Sequence, residues 1–276
     1  MDSFSVLLAL LYRFFYKMNR FLFLRPQKPL DQSKMIIVGS YLIGGAGKTP
    51  FALYLAKRFL KENLTVAILC HTKAKDEFLW LQQEAPEAKV FITNNRFRLA
   101  KELDGKYDIL IADDGFEDLR LCASEKIALE WGECACKIAD LYPSGFCRSL
   151  KKDHPDVTQT FLCGKAFKNP DLIFSISEIK NYLGEPLNKS ATAMCGIGNP
   201  HRFFDDLQNF GAAIEKEIIR PDHDRHFEHS LKKELLHKKP IVITEKDSSR
   251  LTPETLIHPL VFVTKQKITV LKEFHL

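Results

Sequence analysis

The chain carries little net charge for its size. Its 276 residues hold 40 Lys and Arg against 35 Asp and Glu, a formal +5, and no basic run interleaved with aromatics appears. That balance permits an acidic partner such as a phosphate or an anionic lipid surface, but it does not argue for nucleic acid. No stretch of about 20 apolar residues runs without charged interruptions, so a membrane-spanning helix is not expected. No positively charged lead-in followed by an apolar core and a small-residue cleavage site is present either, which argues against a secretory leader. The seven cysteines, Cys70, Cys122, Cys134, Cys136, Cys147, Cys163 and Cys195, are an odd and scattered set. Cys134-x-Cys136 is too tight for the usual zinc spacing and lacks a second half, so the cysteines read as reduced thiols of a cytosolic protein, mostly core fillers. Internal repeats and low-complexity tracts are absent. With 45% hydrophobic and 27% charged residues, the chain has globular composition and enough length for one large or two modest domains.

What is present begins at residues 35–57, MIIVGSYLIGGAGKTPFALYLAK. An apolar strand, a glycine-rich turn ending in Gly-Lys-Thr and a helix follow one another. Gly44, Gly45 and Gly47 let successive backbone N–H groups point into one concavity. Lys48 adds a point charge, Thr49 a hydroxyl for Mg²⁺, and the helix its positive N-terminal end. Strict Walker A spacing would place glycine where Leu42 stands. The segment reads as a nucleotide-binding loop.

Residues 107–116, YDILIADDGF, form an apolar run that ends in two carboxylates. Such a run reads as a strand buried in a parallel sheet, and carboxylates at its C-terminal end fall where open α/β sheets bind ligands. Asp113 fits the role of holding Mg²⁺, directly or through water.

Residues 4–24, FSVLLALLYRFFYKMNRFLFL, are apolar and aromatic, with Arg13, Lys17 and Arg20 spaced to share one helical face. The spacing predicts an amphipathic helix lying in a membrane interface, cations at the headgroups, Phe and Leu in the acyl region, and no role beyond lipid contact. A helix packed on its own domain is the alternative. Further along, strands are expected at 65–70, 89–93, 107–113, 127–131, 191–195, 240–244, 260–264 and 268–271, with a helix at 50–63 and another at 201–210. Strands alternating with helices mean βαβ units and a mostly parallel sheet. A composition shift near 151–159 suggests a smaller α/β domain beyond it.

The order GGAGKTP (44–50), DDGF (113–116), YPSGFCR (142–148), CGIGNPHRFF (195–204), PDH (221–223) and ITEKD (243–247) resembles the tetraacyldisaccharide 4'-kinase family of lipid A biosynthesis. The resemblance runs from about residue 30 to 252. It implies an N-terminal interface helix with linker (1–30), a P-loop NTPase-like α/β/α core with a mostly parallel sheet (31–154), and a smaller C-terminal α/β domain contributing to the active-site cleft (155–276). The implied activity moves the γ-phosphate of ATP to the 4'-hydroxyl of a tetraacylated glucosamine disaccharide 1-phosphate, peripherally at the cytoplasmic face of the inner membrane. Leu42, Ile43, Gly44, Gly45, Ala46, Gly47, Lys48 and Thr49 would hold ATP. Thr49, Asp113, Asp114 and Glu117 would serve Mg²⁺, and Arg148 is a further site residue. Asp76 and His223 inherit the family's Asp–His dyad, a base for the attacking hydroxyl. From spacing alone, His223 reads as a surface histidine beside His226 and His229.

The chain also departs from the family. Ala46 stands where a hydroxyl residue is usual. Glu117-Asp118 replaces Gln-His, Ser149 replaces an acidic residue associated with Mg²⁺, and His71-Thr72-Lys73 replaces Arg-Gly-Tyr. Glu117 or Asp118 could supply the missing carboxylate. Two other functional classes stay open on these residues: a P-loop NTPase without a lipid acceptor, and a non-catalytic homologue. A GTPase reading fails, because Lys246 and Asp247 are adjacent where the guanine motif needs a spacer.

Overall fold

The computed structural model describes residues 3–23, 28–132 and 137–272. They divide into two compact units, Met1–Ile173 with Val270–Leu276, and Phe174–Thr269. Part of the linker at 25–33 and the pair Cys134 and Cys136 lie outside the described residues.

In the first unit, helix α1 (Ser3–Phe23) precedes strand β1 (Lys34–Gly39), helix α2 (Lys48–Lys61), strand β2 (Val66–His71), helix α3 (Lys75–Glu84), strand β3 (Lys89–Thr93), helix α4 (Arg96–Leu103), and strands β4 (Ile109–Asp113), β5 (Glu125–Trp131) and β6 (Gln159–Cys163). The strands lie in the order β3-β2-β4-β1-β5-β6. Their pairs are parallel. β1, β2 and β4 are buried almost throughout, which is why they read as continuous apolar runs and not as alternating ones. α2 tolerates Pro50 because the first helical turn needs no N–H there. It buries Phe51, Ala52, Leu55, Ala56 and Phe59, roughly 1.5–3 kcal/mol for each large side chain.

β1 lies between β4 and β5, and its register pairs Val38 with Asp113. The carboxylate therefore emerges level with the loop that leaves β1. A crevice at the carboxyl ends of parallel strands is where this fold class binds ligands.

The second unit contains β7 (Leu172–Asn181), β8 (Ala191–Cys195), α5 (Pro200–Phe210), β9 (Ile214–Ile219), α6 (Phe227–Leu235), β10 (Ile241–Ile243), the short helices α7 (Glu245–Ser248) and α8 (Pro253–Leu256), and β11 (Val261–Val270). Its strand order is β7-β11-β10-β8-β9. Alternate residues of β8 and β10 sort to two faces. Ala193, Cys195 and Val242 pack with Phe203, Phe204 and Leu207 of α5, while Met194, Ile241 and Ile243 pack with Phe227 and Leu231 of α6. The result is a helix–sheet–helix sandwich with two cores. α5 opens on Asn199, whose side chain accepts from Arg202 N, and closes on Gly211 in the left-handed region.

The unit boundary falls at 173/174 and not at 154/155. β6 pairs with β5 along its length, and Leu271 N donates to Asp171 O at 2.8 Å, tying the end of the chain back to the first unit. The polar stretch 151–159 is a loop inside that unit. The segments 260–264 and 268–271 belong to one long strand, β11.

No helix among the described residues is long and apolar enough to cross a membrane. α1 forms where its composition places it, but its faces are used differently from the expectation. Arg13 does not reach a headgroup region: it is buried in a two-bond fork on Asp153 at 2.9 and 3.0 Å. Arg20 leans over Tyr16, 3.3 Å from its hydroxyl. Tyr12 OH donates to the Arg148 carbonyl at 2.8 Å, and Tyr16 OH meets His154 Nε2 at 3.2 Å. Tyr12, Arg13 and Tyr16 thus dock on the unit, while Lys17 stays exposed. Phe4, Leu7, Leu10, Leu11, Phe14, Phe15, Met18, Phe21 and Leu22 are exposed, Phe21 to 85%. The segment is therefore packed on its own unit through polar side chains, and its apolar side is left exposed.

Candidate active site

The turn after β1 is held by donors outside it. Arg148 N donates to Tyr41 O at 2.7 Å, Arg148 Nη2 to Ile43 O at 3.0 Å, and Trp131 Nε1 to Ala46 O at 3.0 Å. Ile43 N in turn donates to Phe146 O at 3.0 Å. Gly45 and Gly47 have φ of 67° and 73°, a left-handed geometry that L side chains rarely adopt and that turns consecutive N–H groups toward one side. Gly47 also caps α2, whose first residues are Lys48 and Thr49. Ala46 is buried, and its carbonyl is the one that Trp131 binds.

Lys48, Thr49, Asp113, Asp114 and Arg148 come together at the carboxyl edge of β1 and β4. Thr49 Oγ1 donates to Asp113 Oδ2 at 2.7 Å. Asp113 Oδ1 is buried and has no hydrogen-bond partner. Burial raises the Asp113 carboxyl to about 6, against the pull of the Thr49 hydroxyl and the nearby Lys48 and Arg96 cations. A hydroxyl beside a carboxylate with an unused oxygen suits a hard divalent cation such as Mg²⁺. Asp114 has φ 52° and is half-exposed. Arg148 grips it at 3.1 and 3.3 Å, and Lys48 Nζ lies 3.6 Å away. Burial alone would raise its carboxyl, but Lys48 and Arg148 outweigh that and hold it below the usual carboxylate range. Arg96 Nη1 donates to the carbonyls of Asp113 and Asp114 at 2.6 and 3.2 Å, fixing the backbone that presents both acids.

Glu117 and Asp118, the two new acids, have different fates. Asp118 is gripped by Arg120 at 2.9 and 3.2 Å, with Arg96 at 3.7 Å. Glu117 Oε1 has no hydrogen-bond partner and lies 3.8 Å from His154 Nε2. That same nitrogen is 2.8 Å from the Oγ of Ser149, which is fully buried. Glu117 and Ser149 therefore meet at one imidazole. Burial lowers His154 to about 3, with Lys126 and Arg20 adding to the effect.

Asp76 is buried in the first turn of α3, in the first unit. His223 belongs to the second. It follows β9 with φ 58°, and its Nε2 lies 3.8 Å from Asp222 Oδ2. Lys246 and Arg250 also face Asp222, at 3.2 and 3.8 Å. Behind this loop Asp247 is completely buried. It accepts from Gly196 N at 3.2 Å and Thr244 Oγ1 at 2.7 Å, and pairs with Arg250 at 3.0 Å. The motifs at 195–204 and 243–247 thus form one unit of structure: the aspartate of the second holds the first glycine of the first.

Sequence reasoning missed three residues that shape the site. Trp131, Arg96 and Tyr12 act on backbone carbonyls of the loop and of the residues around it. Contacts of this kind leave no motif, because any well-placed donor can serve a carbonyl. Among the described residues, Cys70, Cys122, Cys147, Cys163 and Cys195 are free thiols. Burial pushes Cys195 up to about 12, leaving it inert at neutral pH.

The model of the tetraacyldisaccharide-1-P 4'-kinase family, LpxK, matches residues 2–72 and 70–275. The tetraacyldisaccharide 4'-kinase of Haemophilus influenzae (strain 86-028NP) is 28% identical over 242 residues, 78% of this chain and 72% of its own. That of Chlamydia muridarum is 28% identical over 270 residues, 80% of this chain and 72% of its own. A crystal structure of LpxK from Aquifex aeolicus in complex with ATP shares the fold, with a TM-score of 0.68 at 21% identity over 97% of this chain and 93% of that one. With the family model spanning nearly the whole chain, the chain belongs to the tetraacyldisaccharide-1-P 4'-kinase family and is a kinase.

Proposed function

We propose that this kinase transfers the γ-phosphate of ATP to the 4'-hydroxyl of a tetraacylated glucosamine disaccharide 1-phosphate, working at the cytoplasmic face of the inner membrane. The observation that carries the reading is the phosphate loop itself. Lys48 and the start of α2 stand beside Thr49 and Asp113, in a chain matched by the family's model almost end to end. The ATP-bound relative of the same fold supports the choice of nucleotide.

In this reading the backbone N–H groups of 42–49 and the Lys48 ammonium cradle the phosphates. Thr49 and Asp113 would hold Mg²⁺, with Asp114 beside them and Glu117 the further candidate. The ion would offset charge on the β- and γ-phosphate oxygens. Arg148, forked on Asp114 and bonded to Ile43 O, sets the shape of the loop's wall. Asp76 and His223 are proposed as the pair that accepts the proton of the attacking hydroxyl. Groups acting as one unit lose activity non-additively, so Asp76→Ala and His223→Ala should each lower kcat more than they raise KM for ATP. The double variant should be little worse than either. Fully multiplicative losses would count against the pair. The apolar outer face of α1 suits a lipid interface.

The decisive test is transfer of radiolabelled γ-phosphate to a tetraacyl disaccharide 1-phosphate in mixed micelles. Labelled lipid supports the proposal. Lipid-independent release of phosphate favours an NTPase without an acceptor, and neither product favours a binding homologue. That last reading has Ser149 in its favour, since a buried hydroxyl stands where the family carries an acid.

A further inference from the structure

The two faces of α1 have unlike tasks. Its outer face is a sheet of exposed Phe and Leu, while its inner face is a row of polar side chains bonded to residues 148–154. One bond on that inner face leads straight to the phosphate loop. Tyr12 OH donates to the Arg148 carbonyl at 2.8 Å. The same residue's N–H donates to Tyr41 O at 2.7 Å, and its guanidinium reaches Ile43 O at 3.0 Å and both oxygens of Asp114 at 3.1 and 3.3 Å. Arg148 thus holds the phosphate loop by side chain and main chain at once, and Tyr12 holds Arg148 from behind. Tyr12 is itself seated by Tyr142, edge-on at 6.0 Å between ring centres, and by Tyr16, stacked at 6.2 Å. The buried Arg13–Asp153 fork one residue along keeps the helix in register with residues 150–153.

We propose that Tyr12 of α1 is a positioning residue for the phosphate site, acting through the Arg148 main chain, so that the N-terminal helix is part of the nucleotide-binding scaffold and not only a lipid contact. The inference rests on the reading of residues 42–49 as an ATP site. Loss of one neutral hydrogen bond loosens Arg148, and with it the loop it holds, while removing none of the groups that would touch the nucleotide. The effect belongs in nucleotide affinity first and in the chemical step second.

The test uses the 276-residue chain and the conservative variant Tyr12→Phe, which removes one oxygen and keeps the ring packing. Affinity for a non-hydrolysable ATP analogue with Mg²⁺ is measured by calorimetry, together with KM for ATP and kcat. A Trp80→Phe background leaves Trp131, bonded to the loop at Ala46 O, as a spectroscopic reporter. Analogue affinity should fall about fivefold, equivalent to about 1 kcal/mol. KM for ATP should rise by a similar factor while kcat changes less than twofold, and Trp131 emission should shift. A folded Tyr12→Phe protein with wild-type affinity, KM and Trp131 emission overturns the proposal, and so does a lowered melting temperature with those three unchanged. If the wild type itself binds no analogue, the ATP-site reading fails first and this inference with it.

Discussion

Lys48 is nearly buried, with its ammonium 3.6 Å from Asp114, so its charge is held at one point and little screened by solvent. Preorganised cations of this kind act on charge that develops at a transferring phosphoryl group, and removing one commonly costs about 10²–10³ in rate. Lys48→Ala, shown folded by circular dichroism, should lose γ-phosphate transfer by that factor; more than half of wild-type activity would sink the assignment. The acids divide more finely. Asp118 is neutralised by Arg120 and Arg96, whereas Glu117 shares an imidazole with Ser149. Of the two replacements, Glu117 alone is placed to restore an acid near Ser149. Glu117→Gln should raise the Mg²⁺ concentration for half-maximal activity roughly tenfold, about 1.4 kcal/mol of metal binding. Ser149→Glu in that background should recover part of it. An unchanged Mg²⁺ requirement in Glu117→Gln would show that the lost carboxylate is not replaced from this position.

At the scale of elements, α1 reverses the usual arrangement of a surface helix, since it packs through polar side chains, Arg13 buried and Tyr12 and Tyr16 half-buried, and leaves its apolar face exposed. A contiguous apolar face of this extent, exposed on the first unit, marks an interaction surface. A Phe14→Ser, Phe21→Ser double variant removes two exposed rings, 61% and 85% accessible. At roughly 1.5–3 kcal/mol per buried aromatic, co-sedimentation with anionic phospholipid vesicles should weaken at least tenfold. Equal sedimentation of variant and wild type would remove the lipid reading of this face. α2 shows the opposite economy. Its helix is set by Gly47 before it and by Ala52, Leu55, Ala56 and Phe59 along one stripe, a pattern visible in the letters. α3 and α4 were not, because short helices with weak stripes are stabilised by packing on the sheet more than by their own periodicity.

For the molecule as a whole, the second unit depends on one buried charge. Asp247 has no exposed surface and binds Arg250, Thr244 and Gly196 N. Asp247→Ala leaves the Arg250 guanidinium and the Gly196 amide without that partner, a change that costs about 3–5 kcal/mol. The midpoint of denaturant unfolding followed in the second unit should drop accordingly. A shift below about 1 kcal/mol would mean that water enters and replaces the carboxylate.

Residues that must be of one type for local reasons were legible in the letters. Gly47 needs a left-handed backbone, Lys48 and Thr49 follow it at the head of a helix, and Asp113 ends an apolar strand. These demands are set within a few residues along the chain, so the sequence by itself determined the glycine turn after β1, the acidic strand end and the α/β class. Tertiary structure decided the rest. It chose which face of α1 packs, gave Ala46 to Trp131 and set Arg96 beside Asp118, and brought Glu117 and Ser149 to one histidine. Those contacts join residues that are mostly far apart in the chain. Their energies depend on distance and burial, which no local pattern encodes, and so a helix whose letters read as cations for lipid has its Arg13 locked against Asp153.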